Sequence, residues 1–347
     1  MFKHILVMLT LAIVSLAFNL PAVSRANATE SPTKPWRLCA VYPHLKDSYW
    51  LSVNFGMIEQ AKQRAVELKV LEAGGYSKSA EQWAQIERCQ HWQADAILVG
   101  SVYFDSLSEQ LELINQRTPL FGLVNELSTV KLTASTGVSW YQMGFKLGEY
   151  LALRHPQGSD RVKLAWFPGP KGGGGSPQST AGLKSAIANS AIDLVDIKYG
   201  FNEKITQFSL IKSVLKQYPE IDYLAGNAVM AEMAISEVAQ LPQKDKPKIL
   251  SHYLSHGVYR GIRRGKIMMA NTDQMVQQGK MAIDQAVNFL QGQKIKQQQG
   301  PMILSIDKFN VMTIDLEQSL SPSYFKPQYS TSTNSNRPQT DTPRHEP

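Results

Sequence analysis

Short apolar runs alternate, along most of this chain, with stretches whose apolar positions recur every three or four residues. Leu38-Cys39-Ala40-Val41 reads as a strand over 37–42, and Phe55, Ile58, Ala61, Ala65 and Leu68 mark one face of a helix over about 51–68. Strands at 69–72 and 95–99, helices at 79–92 and about 107–116, and a strand at 119–124 complete a first round. A second round starts near Asn125, with strands at 135–138, 162–167, 192–198, 221–225, 248–253 and 266–271. Helices at about 141–154, 178–189, 204–217, 228–239, 256–263 and 275–291 accompany them, before a last strand at 302–304. Strand alternating with helix predicts an α/β fold whose parallel sheets carry helices on both faces; two rounds predict two similar lobes with a cleft between them.

Several of these strands end in an aromatic residue with Asp, Asn or Gly beside it. The first stops at Tyr42-Pro43 and leads into Asp47-Ser48-Tyr49-Trp50; others stop at Gly74-Gly75-Tyr76, at Gly100-Ser101-Val102-Tyr103, at Trp140-Tyr141 and at Tyr253. Ligands of open α/β sheets sit beyond the carboxyl ends of the strands, so these rings describe the lining of a pocket for something small and soft. The competing reading places Trp50, Trp140 and the tyrosines in the core; Trp83, Trp92 and Trp166 are expected as core or helix-packing residues. Gly172-Gly173-Gly174-Gly175-Ser176 lacks the Gly-Lys-Ser/Thr of a phosphate loop and reads as a flexible strand-to-helix loop at the cleft mouth. Ser176 also lacks the nucleophile elbow. His44, His91, His155, His252, His256 and His345 show no metal-ligand spacing, and a structural role is expected for each. No catalytic set, metal or cofactor is expected.

The amino terminus changes the compartment. Lys3, the apolar stretch from Ile5 to Leu20 and the small-x-small site Ala26-Asn27-Ala28 read as a secretory signal peptide over 1–28. A membrane anchor is the alternative, but the run is shorter than the roughly 18 to 20 residues a span needs and Pro21 breaks it. The exported remainder is long enough for two domains of roughly 150 residues. The net charge of +7 is scattered apart from the run Tyr259–Lys266, which reads as a solvated helix end. No nucleic-acid-binding module accompanies it. Cys39 and Cys89 suggest a disulfide in an exported chain: the helix carrying Cys89 must cross back over the first strand, which carries Cys39. Two buried thiols are the alternative. From Ser321 onward the chain is mostly polar, and 328–347 is expected to be a disordered tail.

Longer motifs carry a family resemblance. Leu38–Pro43 with Leu45–Trp50, Lys69–Ser77, Ala94–Leu98, Gly137–Gly144, Tyr253-Leu254-Ser255 with Val258–Gly261, and Ile267–Ala270 with Asp273-Gln274-Met275 resemble the periplasmic trimethylamine N-oxide (TMAO) sensors of the type I periplasmic binding protein family. The resemblance implies two lobes, at 36–124 with 274–297 and at 125–273 with 298–325, joined by three crossovers near Asn125, Asp273 and Gly300. It implies TMAO as ligand and the periplasmic domain of a membrane sensor histidine kinase as partner, in a two-component system controlling TMAO respiration. By motif position it makes Asp47, Tyr49, Trp50, Tyr76, Trp140, Tyr253 and Asp273 the pocket residues. Aromatic faces suit the three methyls around a partly positive nitrogen, and phenol or indole groups can donate to the oxide. The alternative is a sugar or other small-solute binding protein of an ABC importer, since fold does not fix function. An exported hydrolase lacks its catalytic set.

Overall fold

The computed structural model describes residues 34–102, 108–127 and 131–331. The expected signal peptide, Tyr103 and the chain beyond 331 lie outside the described residues. One sheet holds β1 (Arg37–Tyr42), β2 (Glu67–Glu72), β3 (Ala96–Val99), β4 (Leu120–Leu123), β5 (Ala134–Thr136) and β11 (Gln298–Gln299), in the order β11-β5-β4-β3-β1-β2. The other holds β6 (Val162–Gly169), β7 (Ile192–Tyr199), β8 (Tyr223–Gly226), β9 (Lys248–Ser251), β10 (Met269–Thr272) and β12 (Leu304–Asp307), in the order β12-β10-β9-β8-β6-β7. The pairings are parallel except that of β10 with β12. Continuous apolar runs such as Ala96–Val99 and Leu120–Leu123 are buried throughout because helices cover both faces.

On the first sheet, α1 (Ser48–Gln63) and α9 (Met275–Leu290) lie on one face, while α2 (Ser79–His91) and α3 (Ser108–Asn115) serve the other. On the second, α4 (Trp140–Ala152) and α5 (Ser176–Ile187) oppose α6 (Lys204–Gln217), α7 (Ala228–Ala239) and α8 (His256–Arg263). The two sheets form the two lobes of a type I periplasmic binding protein fold. Cys39 on β1 and Cys89 on α2 are joined in a buried disulfide with a Cα–Cα distance of 5.7 Å.

Several placements differ from the sequence reading. The first helix ends at Gln63, and Leu68, expected on its apolar face, lies in β2. Residues 298–299, expected in the second lobe, form β11 beside β5 in the first sheet. The strand expected to open the second round, β5, pairs with β4 instead, so the first crossover falls after Thr136 and not near Asn125. A three-residue strand carries too little pattern to announce its sheet. The polar segment beginning at 328 is also ordered at its start. Val70 N–H donates to the Tyr329 carbonyl at 2.8 Å and Thr331 N–H to the Leu68 carbonyl at 3.1 Å, so the segment runs along the β2 edge. Backbone pairing of this kind needs no apolar side chains.

The strand order turns around at β1 and β3 in one lobe and at β6 and β8 in the other. Loops leaving the carboxyl ends of such neighbours diverge and leave a crevice. Those loops, 43–47 and 100–102 in one lobe, 170–175 and Asn227 in the other, frame the site.

Candidate functional site

The first lobe contributes a tier of rings. Beyond β1, Asp47 caps α1, its Oδ1 accepting from Trp50 N–H at 3.0 Å, and the first helical turn then presents Tyr49 and Trp50. The Trp50 indole stacks on Tyr42 with centroids 5.3 Å apart and donates through Nε1 to the Tyr76 hydroxyl at 3.2 Å. Gly100 makes room for it: a Cβ there would lie 2.4 Å from the indole. Asn125 Nδ2 reaches the Ser101 carbonyl at 2.7 Å and the Tyr76 hydroxyl at 3.5 Å. Burial raises the Tyr76 phenol to about 12, so it stays protonated.

The second lobe closes the box. Trp140 is the first residue of α4, whose cap Ser139 accepts from Gln142 N–H at 3.3 Å. Its indole lies against Gly175, where φ is +76° and a Cβ would stand 2.1 Å from the ring. The glycine run is therefore the surface on which Trp140 rests, with no phosphate-loop character. Tyr253, just beyond β9, meets Tyr49 edge-on at 5.2 Å and Trp140 at 6.2 Å, while Tyr49 and Trp140 are 6.3 Å apart. Three rings from two lobes thus converge. Beside them Asp273, fully buried at the crossover between β10 and α9, accepts at Oδ2 from the Tyr49 hydroxyl and from Gln278 Nε2. Burial pushes the Asp273 carboxyl up and the Tyr49 phenol well up.

Five buried side-chain atoms in and around this box have no protein partner: the acceptors Asp273 Oδ1, Gln278 Oε1 and Asn202 Oδ1, the ring nitrogen His252 Nδ1, and one indole donor, Trp140 Nε1. Buried polar groups are ordinarily paired, so Trp140 Nε1, on one of the three rings, and Asp273 Oδ1, beside them, are candidate ligand contacts. His252 packs between Trp140 and Trp166 at 5.9 and 5.0 Å and is held neutral by burial, its pKa lowered to about 4. It fills space, as expected from the sequence.

A cleft of about 660 Å³ opens outward from the box between the lobes. Asp47, Tyr49, Tyr76 and Tyr253 line it; Trp50, Trp140 and Asp273 are buried and do not. Trp50 touches first-lobe rings and supports Tyr76. Sequence reasoning missed Asn202, which donates to the Tyr253 hydroxyl at 3.3 Å, as well as Phe201 and Glu232 on the cleft wall. Tyr199-Gly200-Phe201-Asn202 beyond β7 repeats the aromatic-plus-glycine ending seen at the other strands, and that signal was available. Trp166 and Trp92 behave as expected: Trp166 is core, and Trp92 packs under Arg37 and Lys69. No group of three metal-ligating side chains occurs among the described residues.

Residues 35–327 match the family described as periplasmic binding proteins and sugar binding domain of the LacI family. The chain belongs to this family. Within it, the periplasmic protein TorT of Escherichia coli K12 is 43% identical over 85% of this chain and 85% of its own. A crystal structure of the TorS sensor domain–TorT complex in the presence of TMAO matches at 41% identity and a TM-score of 0.78, covering 85% of this chain and all of that one. An ABC transporter solute-binding protein of Bradyrhizobium with bound Bis-Tris is 40% identical, with a TM-score of 0.75 over 86% of this chain and 90% of that one. The two-lobed α/β fold read from the strand and helix pattern is thus shared with a protein that forms a complex with a sensor domain and with a solute-binding protein.

Proposed function

We propose that this protein is an exported periplasmic sensor that binds TMAO in the aromatic box and acts on the periplasmic domain of a histidine kinase of the TorS kind, controlling TMAO respiration. The observation that carries the reading is the pair of unpartnered buried groups beside three rings. Trp140 N–H donates to the oxide oxygen, which can only accept; the Asp273 carboxyl faces the positive nitrogen; Tyr49, Tyr253 and the Trp140 ring cover the methyls. Asp47 shapes the entrance by capping α1, and Trp50 supports Tyr76 on the cleft wall. The buried disulfide suits an oxidising compartment.

Size limits the affinity. TMAO has about five heavy atoms, and at no more than roughly 1.5 kcal/mol each the binding free energy stops near 7 to 8 kcal/mol, a dissociation constant near micromolar at best. Calorimetry and thermal shift of the exported protein with TMAO, other methylated amines and sugars test the reading. A shift with TMAO and micromolar or weaker binding is expected; a response to sugars alone refutes it. A second reading rests on the relative holding Bis-Tris, a hydroxylated tertiary amine, and on the roughly 660 Å³ cleft outside the box. On that reading a larger amine is carried to an ABC importer, and hydroxylated tertiary amines would compete with TMAO.

A further inference from the structure

Three crossovers join the lobes in the sequence reading, but the chain crosses between them once more. After β12 it returns past the crossover at Asp273, where Thr272 Oγ1 donates to Ser319 Oγ at 2.9 Å, and then runs over the first lobe. Ser321 N–H donates to Ser52 Oγ at 3.1 Å, and Phe325 meets Phe55 edge-on at 5.1 Å. Asn54, fully buried on α1, holds the backbone of Gln328 at both ends of its amide, at 2.9 and 3.0 Å. The segment then follows β2 to Thr331. This strap has its root in one lobe and its length fixed on the other.

His256 joins the same point from the second lobe. It opens α8, and its Nε2 lies 2.8 Å from the Ser321 carbonyl while Nδ1 lies 2.7 Å from Ser48 Oγ, the first residue of α1. A carbonyl only accepts, so Nε2 carries the hydrogen and Nδ1 accepts from the serine. The His256 backbone N–H also donates to Ser48 Oγ, at 3.1 Å. Ser48 precedes Tyr49, the residue bonded to Asp273. The junction of α1, α8 and strap thus lies one residue from the box without belonging to its rings.

We infer that His256, Ser48 and the strap 319–331 form a clasp that holds the two lobes in the ligand-binding arrangement, with His256 as a positioning residue for the site. The inference rests on the proposed TMAO reading for its effect on affinity, but not for its effect on the lobes. Apparent affinity scales with the fraction of molecules already in the competent arrangement. Ser48 and His256 border the outer cleft but are not among the groups proposed to hold TMAO, so loosening the clasp weakens TMAO binding without altering the aromatic box.

The test uses the exported full-length protein spin-labelled at Glu87→Cys and Lys216→Cys, one exposed site in each lobe. Double electron–electron resonance reads the interlobe distance, and calorimetry reads TMAO binding. Ser48→Ala, His256→Ala and Phe325→Ala are each expected to broaden the distance distribution without ligand and to leave the TMAO-saturated distance unchanged. Each is expected to raise the dissociation constant about five- to tenfold. Ser48→Ala keeps the Asp47 cap, so the test stands even if His256→Ala fails to fold. Unaltered distributions and affinities within twofold of the parent would overturn the clasp. A parent that ignores TMAO would sink the proposed ligand instead, while the ligand-free distances would still decide the clasp.

Discussion

Trp140→Phe removes the indole N–H while keeping an aromatic ring at the position. The side chain is 3% exposed and its Nε1 has no protein acceptor, so the substitution keeps part of the apolar face against Tyr49 and Tyr253 and deletes one donor together with the volume of the second ring. If that donor serves the oxide, its loss removes a hydrogen bond to a charged acceptor, worth about 1.5 to 3 kcal/mol. Against a ceiling near 7 to 8 kcal/mol for so small a ligand, the dissociation constant should rise about tenfold to a hundredfold. The ligand-free protein supplies the control. Losing an unpaired buried donor favours the variant, while the smaller ring leaves a void in the core that costs about 1 to 2 kcal/mol, so urea denaturation without TMAO should show only a small net loss of stability. Calorimetry beside denaturation gives both numbers from one preparation. TMAO binding within twofold of the parent in Trp140→Phe would refute the donor role and leave the indole as packing.

Three further outcomes follow from the same geometry. Gly175→Ala should abolish TMAO binding by calorimetry, because its Cβ would stand 2.1 Å from the Trp140 ring at a φ of +76°; retained affinity would show that the box tolerates displacement of Trp140. Reducing the disulfide opens a 50-residue loop and should cost about 2 to 4 kcal/mol in urea denaturation, with no change expected in a Cys39→Ala/Cys89→Ala variant on adding reductant. His252, with a pKa near 4 when folded against an ordinary 6.5, binds its proton more readily in the unfolded chain, so stability is full above about 6.5 and falls by up to about 3 kcal/mol as pH drops towards 4. Asp273 and Glu126, both pushed up by burial, act in the opposite sense, so the comparison that checks His252 is the flattening of the pH profile in His252→Asn.

The alternation of apolar runs and amphipathic stretches was enough to read the two parallel sheets, because strands buried on both faces and helices buried on one leave different periods. The rings were legible for another reason: polar or small neighbours such as Asp47, Gly74-Gly75 and Ser139 placed them at strand ends. What the pattern could not say was depth. Trp50 and Tyr49 are adjacent on one helical turn, yet one supports Tyr76 and the other reaches Asp273 across the lobes. That distinction is made by Gly100, whose missing Cβ lets the indole sink. The strap was hidden for a physical reason as well. Its attachment at Leu68, Val70 and Asn54 is largely through backbone atoms, so its own composition is free to look like a tail.

On the proposed reading occupancy must be turned into a change of lobe arrangement, and the small size of TMAO decides how. Moving an equilibrium from 1:99 to 99:1 takes about 5.5 kcal/mol of differential affinity, while five heavy atoms supply at most roughly 7 to 8 kcal/mol in total. Most of the binding energy must then be available in only one lobe arrangement. A site built within a single lobe would bind both arrangements equally and shift nothing. The box meets the requirement: Tyr49 comes from one lobe, Trp140 and Tyr253 from the other, and Asp273 from the crossover that joins them. Because Asp273 Oδ2 is already engaged by Tyr49 and Gln278 while Oδ1 is not, positive charge placed beside Oδ1 acts on the one carboxyl fixed at the joint. Asp273→Asn should therefore reduce the response of the interlobe distance to TMAO at saturation as well as the affinity, whereas a carboxyl serving only as a contact would change affinity alone.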